Sequence, residues 1–201
     1  MQITEITNTN PISPYGLTKK IAEDIILDYA KNKNINYVIL RYFNVAGNDF
    51  DCEVKDVENN IKRLIPNIIK KILTNDIINI NGNDYNTKDG TCIRNYIHVL
   101  DLAEAHIKAL DYDNNLICNL GSDNNYSILE IIKYIEKHMK KKCSYKFNKR
   151  IKGDPEIVYC NNELAKEKLN WYIKYNIDDI IISHIKCYIN FTNNHLSDLP
   201  S

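Results

Sequence analysis

An amphipathic helix and a strand with little polar alternation stand side by side near the start of this chain. Apolar residues recur at helical spacing from Tyr15 to about Lys31, with charges on the opposite face. Residues 37–43 (YVILRYF) form a strand of the kind found in sheets covered on both faces. This order predicts an α/β protein. Asn44–Gly47 is predicted to turn the chain at the carboxyl end of the strand, where open α/β sheets place ligands.

Helices and strands are predicted along the rest of the chain as well. Helices are expected over 61–73, 100–110, 127–140, 161–169 and 177–191, and strands over 77–80, 92–98, 116–120 and 144–147. Ser127 and Glu130 have the spacing of a capping box, which indicates a helix start. Residues 1–13 are rich in Thr, Asn and Pro and predict a loop.

Composition excludes several classes of protein. The 201 residues carry 26 Lys+Arg and 26 Asp+Glu, so no overall field favours nucleic acid or an acidic membrane. No apolar run approaches the roughly 20 residues that span a bilayer, and a cytoplasmic location is expected. The six cysteines are scattered, which predicts reduced thiols and no metal site.

Tyr15 and Lys19 form a candidate proton-transfer pair. At this spacing both side chains lie on one face of a helix, one turn apart. A lysine ammonium near a phenol favours the phenolate, which makes the tyrosine a usable base. The same spacing recurs at Tyr29/Lys33 and Tyr145/Lys149. The spacing alone therefore does not single out the first pair.

Motifs spread along the chain resemble those of one enzyme family. They are Ser13–Lys19 (SPYGLTK), Leu40–Gly47 (LRYFNVAG), Gly82–Val99 (GNDYNTKDGTCIRNYIHV), Asn119–Gly121 (NLG) and Gly153–Pro155 (GDP). In order and spacing they are similar to the UDP-glucose 4-epimerases, which are NAD-dependent extended short-chain dehydrogenases/reductases. The Gly82–Val99 string is the most specific, whereas Tyr-x-x-x-Lys alone indicates only the superfamily.

The resemblance implies that Tyr15 and Lys19 are the catalytic pair. In the family the tyrosine takes the proton of the sugar 4-hydroxyl while hydride passes to NAD. The 4-keto sugar then turns over and hydride returns to its other face. The lysine binds the nicotinamide ribose. Tyr15 would therefore contact both cofactor and substrate.

Four further positions match family contacts. Phe43 matches a position that contacts NAD, and Asn44 one that contacts the UDP-sugar, although Asn is also a common strand-ending turn residue. Arg94 matches a diphosphate-binding arginine, a role that suits the paired donors of a guanidinium. Asp154 matches a nucleotide-binding acid, but it is also a typical turn residue before proline.

Some positions depart from the family pattern. Asn95 replaces the usual acid beside the arginine. Ile151 occupies the place of a phosphate-binding arginine, which leaves Arg150 or Lys152 to compensate. Three further substrate-site positions are Arg63, where Asn or His is usual, Asn81, where some members stack an aromatic on uracil, and Val158, whose bulk is linked to acceptance of N-acetylated sugars.

The chain has no glycine-rich dinucleotide turn, because its six glycines are all single. We therefore expect a partial Rossmann-type parallel sheet (1–47 and 98–121), a smaller C-terminal substrate-binding α/β domain (48–97 and 122–192) and a frayed tail (193–201). The nucleotide-binding half would be missing, so the chain alone is expected to be inactive or unstable.

The resemblance predicts that the whole protein interconverts UDP-glucose and UDP-galactose with NAD. The full-length protein is expected to be a homodimer that binds neither nucleic acid nor membrane. Two alternatives stay open. One is another NAD-dependent nucleotide-sugar dehydratase or decarboxylase, and the other is a non-catalytic remnant that binds UDP-sugar.

Overall fold

The computed structural model describes residues 2–54 and 63–197, with side chains to residue 191. The helices are α1 (Pro14–Lys33), α2 (Leu64–Thr74), α3 (Val99–Leu110), α4 (Ile128–Met139), α5 (Glu163–Leu169) and α6 (Ile177–Ser197). The strands are β1 (Gln2–Ile3), β2 (Val38–Tyr42), β3 (Asn44–Ala46), β4 (Ile78–Asn81), β5 (Ile93–His98), β6 (Leu116–Leu120), β7 (Asn125–Ser127), β8 (Tyr145–Asn148) and β9 (Tyr159–Cys160).

The described strands form small, mostly parallel sheets, which confirms the predicted α/β class. β2 pairs with β6, β3 with β5, β4 with β8 and β1 with β9, all in parallel, while β7 runs antiparallel to β5. Two local predictions are wrong. Asn44–Ala46 is a strand rather than a turn, because its backbone pairs with β5, and Gln2–Ile3 leaves the predicted loop to pair with β9.

Helix α1 has clear start and stop signals. The Ser13 hydroxyl accepts the backbone N–H of Gly16 at 3.1 Å, and Pro14 occupies the first helical position, where its missing N–H costs nothing. Asn34 ends the helix in the left-handed region. The apolar face predicted for α1 is largely open to solvent. Five of its residues are 44–62% exposed: Leu17, Ile21, Ile25, Ile26 and Tyr29.

The core consists of two hydrophobic clusters. The first is built from helices α2, α4 and α6 against β4 and β5, with isoleucines such as Ile68, Ile131 and Ile181 fully buried. The second joins α3 and β6 to α5 and Trp171. The predicted boundaries assign α5 and Trp171 to the substrate domain. In the structure they pack with α3, and the Trp171 indole N–H donates to the Asp101 carbonyl at 2.8 Å.

Most helix ends lie close to their predicted positions. At the start of α4, the Ser127 hydroxyl accepts the Glu130 N–H, and the Glu130 carboxylate accepts the Ser127 N–H. This confirms the capping box. Helix α2 begins at Leu64, with Pro66 in its first turn, while residues 61–62 of the predicted helix lie outside the described part. Helix α6 continues to Ser197, beyond its predicted end.

The prediction that all six cysteines are reduced thiols is wrong for one pair. Cys52 and Cys187 form a disulfide with their Cα atoms 5.2 Å apart, which joins the loop after β3 to helix α6. The two residues are 135 positions apart in sequence, so their spacing gives no hint of the pairing. The free thiols in the described residues are those of Cys92, Cys118, Cys143 and Cys160.

Two negative findings apply to the ranges 2–54 and 63–197. None of the helices there combines the length and apolar content that a bilayer crossing needs. No group of three or more His, Cys, Asp or Glu side chains in the same ranges is arranged to hold a metal ion.

Candidate active site

Tyr15 and Lys19 lie in the first two turns of α1, on one face, as their spacing predicts. The Lys19 ammonium is 5.5 Å from the centroid of the Tyr15 ring. Both side chains are exposed. They are therefore accessible to a ligand.

An ion pair that the sequence did not predict ties α1 to strand β2. The Arg41 guanidinium on β2 contacts the Glu23 carboxylate on α1 through two bonds, at 3.0 and 2.5 Å. The same guanidinium donates to the Glu5 carbonyl at 3.0 Å. Bidentate pairs of this type fix geometry as well as adding energy. The helix that carries Tyr15 is therefore anchored to the end of the strand that precedes Phe43.

Phe43 borders an open groove of about 290 Å³ at the carboxyl end of β2. Its backbone N–H donates to the Leu120 carbonyl at 3.0 Å, which continues the pairing of β2 with β6. Thr4, Thr7 and Asn119 line the same groove. A small planar group could enter here beside the Phe43 ring.

A charged cluster forms where β5 meets the loop after β8. One Arg94 nitrogen lies 2.6 Å from a carboxylate oxygen of Asp154, and the Tyr85 hydroxyl donates to the other oxygen at 3.2 Å. The Arg150 guanidinium lies over the Tyr85 ring, with its central carbon 4.2 Å from the centroid, and 3.6 Å from Glu156. Arg94 and Asp154 are 60 residues apart in sequence, and the fold makes them partners.

The start of helix α1 lies near the loop that carries Asp154. A Cβ placed on Gly153, the residue before Asp154, would lie 3.6 Å from the side chain of Ile12. Ile12 immediately precedes the Ser13 cap of α1. The start of α1 therefore borders the loop that carries the acid of the charged cluster.

Asn44 is exposed at the start of β3 and is held by the strand beside it. Its side-chain amide donates to the carbonyl of Asn95 at 3.0 Å. Asn95 itself is fully buried, and its amide nitrogen is 2.8–3.1 Å from three oxygens, those of Ser122, Asn124 and Asn125. The uncharged residue at this position is thus matched to surrounding acceptors, which accounts for the absence of the acid expected from the resemblance.

The remaining predicted residues lie on separate parts of the fold. Arg63 occupies the N-cap position of α2, and Asn81 is exposed at the end of β4, within 3.5 Å of Asn148. The Val158 N–H donates to the carbonyl of Ile93 at 3.2 Å, and Ile93 is the residue before Arg94. Ile151 is 56% exposed and offers no charge.

A buried histidine cluster, which no sequence motif indicated, holds the chain after β3. The His184 ring accepts the Gly47 N–H at 2.8 Å, and Ser183 accepts the Asn48 N–H at 3.1 Å. His98 stacks on Phe50 at 5.4 Å. Gly47 has φ +88°, and a Cβ there would lie 2.6 Å from the His98 ring, so the approach requires glycine.

Comparisons with known proteins show the family of the chain. A family model described as the NAD dependent epimerase/dehydratase family matches residues 2–121. The chain belongs to this family. Two of its relatives are the UDP-glucose 4-epimerases of Lactobacillus helveticus, 40% identical over 187 residues, and of Homo sapiens, 38% identical over 173. These matches cover 90% and 83% of this chain, but 57% and 50% of the relatives.

Solved structures of this family share the fold. UDP-glucose 4-epimerase from Brucella ovis in complex with NAD superposes with a TM-score of 0.87 at 39% identity, covering 92% of this chain and 59% of that one. The enzyme from Bifidobacterium longum in complex with NAD+ and UDP gives 0.89 at 32%, covering 96% and 60%. The chain thus spans little more than half the length of these epimerases.

Proposed function

We propose that this chain provides the catalytic base and the sugar-nucleotide site of a UDP-glucose 4-epimerase that interconverts UDP-glucose and UDP-galactose. One observation carries the proposal. In a chain of the epimerase/dehydratase family, the start of the helix that carries Tyr15 and Lys19 borders the loop that carries Asp154, the partner of Arg94. In this proposal a nucleotide sugar binds with its diphosphate on Arg94 and its sugar near Tyr15.

The residues have separate tasks in this proposal. Tyr15 accepts the proton of the sugar 4-hydroxyl through its phenol oxygen and later returns it, which is general base and general acid catalysis. The nearby Lys19 ammonium stabilises the phenolate form of Tyr15, which exists before the proton is accepted and again after it is returned. Arg94 binds the diphosphate through guanidinium donors that Asp154 orients. Asn44 contacts the sugar, while Arg63, Asn81 and Val158 border the nucleotide.

The described residues fit only one end of NAD. The groove beside Phe43 suits the nicotinamide, and the exposed Lys19 ammonium suits the ribose hydroxyls. No glycine-rich turn for the pyrophosphate occurs in the 201 residues. When bound, NAD would accept the hydride that leaves the sugar carbon and return it later. The pyrophosphate must then be bound by residues other than those described here.

A homodimer of the full-length protein and a cytoplasmic location belong to the same proposal. Sedimentation equilibrium tests the first. The Cys52–Cys187 bond is unusual for a cytoplasmic protein, because disulfides are rare in the cytosol. Localisation of the tagged protein, combined with thiol titration of fresh lysate, tests both the compartment and the bond.

The decisive experiment assays the longest natural gene product that contains this chain with UDP-galactose and NAD. Equilibration with UDP-glucose is expected. Tyr15→Phe should lower kcat by about 10²–10⁴-fold, the usual contribution of a general acid–base. Tyr29→Phe, the same change in the same helix and spacing, should leave kcat within about twofold. Stable keto-sugar product would favour a dehydratase or decarboxylase, and equal effects of the two variants would refute the catalytic pair.

A further inference from the structure

Tyr85, which has no task in the proposed reaction, lies at the centre of the charged cluster. It is only 4% exposed, and the Arg150 guanidinium lies over its ring with the central carbon 4.2 Å from the centroid. Its hydroxyl donates to Asp154 at 3.2 Å, and the other oxygen of Asp154 binds Arg94 at 2.6 Å. One tyrosine therefore connects both arginines of the cluster, directly or through the acid.

The backbone around Tyr85 is built to hold the ring in this place. Gly82 has φ +86°, and a Cβ there would lie 2.4 Å from the Tyr85 ring and 2.9 Å from the Arg150 side chain. The Tyr85 N–H donates to the Gly90 carbonyl at 3.0 Å, which closes the loop behind the ring. Only glycine at 82 permits this close approach. The stacking of Arg150 on Tyr85 is therefore part of a constrained loop.

The two arginines differ in what they can offer to a ligand. The Arg94 side chain is 15% exposed and tightly paired with Asp154, whereas Arg150 is 38% exposed and lies 3.6 Å from Glu156, which is 43% exposed. An exposed ion pair of that length is weak. An anion with two charges can therefore displace Glu156 from Arg150 while Arg94 stays in place.

Arg150 is also better prepared than its neighbours to bind phosphate. Ile151 is uncharged and 56% exposed. Lys152 is a flexible point charge, whereas a stacked guanidinium keeps its fork of donors in one plane and loses less freedom on binding. Burial and the negative charge of Asp154 raise the pKa of Tyr85, which keeps its hydroxyl protonated as the donor to that acid.

We propose that Tyr85 is a positioning residue that holds Arg150 as the second cation for the diphosphate of a nucleotide sugar, in place of an arginine at position 151. The inference rests on the proposed function, since it concerns the diphosphate end of the same site. It assigns to Tyr85 a role in substrate affinity. It also resolves the choice between Arg150 and Lys152 in favour of Arg150.

Titration calorimetry with UDP on the protein used in the epimerase assay tests the proposal. Arg150→Ala and Tyr85→Leu should each weaken UDP binding by about tenfold, the loss typical of a charge-assisted hydrogen bond. Tyr85→Phe keeps the ring and should weaken it by less than about threefold. The matched cation control Lys149→Ala should leave UDP affinity within about twofold.

The double variant separates positioning from a general structural effect. If Tyr85 acts through Arg150, adding Tyr85→Leu to Arg150→Ala should weaken UDP binding by less than about twofold more. A further tenfold loss, or a loss caused by Lys152→Ala and not by Arg150→Ala, would overturn the inference. If the unmodified protein binds UDP and Arg150→Ala binds it equally well, the inference is overturned but the proposed function is not. Protein that binds no UDP would overturn the proposed function as well.

Discussion

Acid should destabilise this protein through two buried histidines, His98 and His184. The His98 Nδ1 atom accepts the Leu100 N–H at 3.1 Å, and its Nε2–H lies 3.4 Å from the Ser183 hydroxyl. The His184 Nε2 atom accepts the Gly47 N–H at 2.8 Å. Each ring is therefore held in its neutral form, because a proton added at the accepting nitrogen would face a backbone N–H.

Burial is the main cause of the pKa change at both rings. It lowers the pKa of His98 from 6.5 to about 4, although the negative charge of Asp179 acts in the opposite direction. It lowers the pKa of His184 to about 4 as well; the positive charge of Arg63, and that of His98 once it is protonated, add to the effect. At 1.36 kcal/mol per unit, each ring contributes about 3 kcal/mol of stability.

The direction of the effect follows from the lowered pKa values. Because the folded values lie below the unfolded value near 6.5, the stabilisation is fully present above about pH 6.5. It is lost as the pH falls toward 4. The free energy of unfolding should therefore drop by as much as about 2.7 kcal/mol per pH unit in this window, the slope for uptake of two protons on unfolding.

Urea denaturation from pH 7 to 4.5 measures this slope. Trp171 is the only tryptophan and is fully buried, so its fluorescence reports unfolding of the core. His184→Gln should reduce the slope to about that of one proton. His106→Gln, at an exposed histidine, should leave it unchanged. A flat profile, or ring pKa values near 6.5 measured by NMR for the folded protein, would refute the reasoning.

Two further predictions concern stability. Cys52→Ser opens a disulfide that spans 135 residues and should lower the free energy of unfolding by up to about 5 kcal/mol, measured by urea denaturation without reductant. The free-thiol control Cys143→Ser and the reduced form of the unmodified protein distinguish the loss of the bond from the change of side chain. Asn95→Asp would place a carboxylate against carbonyls such as that of Ser122 and should lower the free energy of unfolding by about 2 kcal/mol. Asn114→Asp, at an exposed position, should lower it by less than about 0.5 kcal/mol, and equal urea midpoints for the two variants would contradict this account.

The elements that the sequence predicted well depend on neighbouring residues. The Ser127–Glu130 capping box joins residues three positions apart, so the pattern alone shows it. The strand at 38–42 has the uninterrupted apolar character of a covered sheet, and it pairs with another predicted strand. In contrast, the two-residue β1 strand has no pattern of its own. It exists because β9 lies beside it.

The candidate site divides in the same way. Tyr15 and Lys19 share a face because helix geometry requires it, and Arg94 and Asp154 were named from motifs. The contacts that surround these residues were not predicted. Glu23 on the Tyr15 helix pairs with Arg41 across 18 positions, and Tyr85 contacts Asp154 across 69. Nothing in the local spacing connects either pair. The expectation of reduced thiols failed for the same reason.

By itself the sequence determined the α/β class, most helix boundaries, the shared helix face of Tyr15 and Lys19 and the motifs that identify the family, since these depend on local periodicity or on residue order. Only the tertiary structure decided which residues share the charged cluster, that Arg150 rather than Ile151 or Lys152 lies on an aromatic ring, and that Cys52 meets Cys187. These contacts join residues far apart in sequence. Their geometry depends on how the two cores pack, which local patterns do not encode.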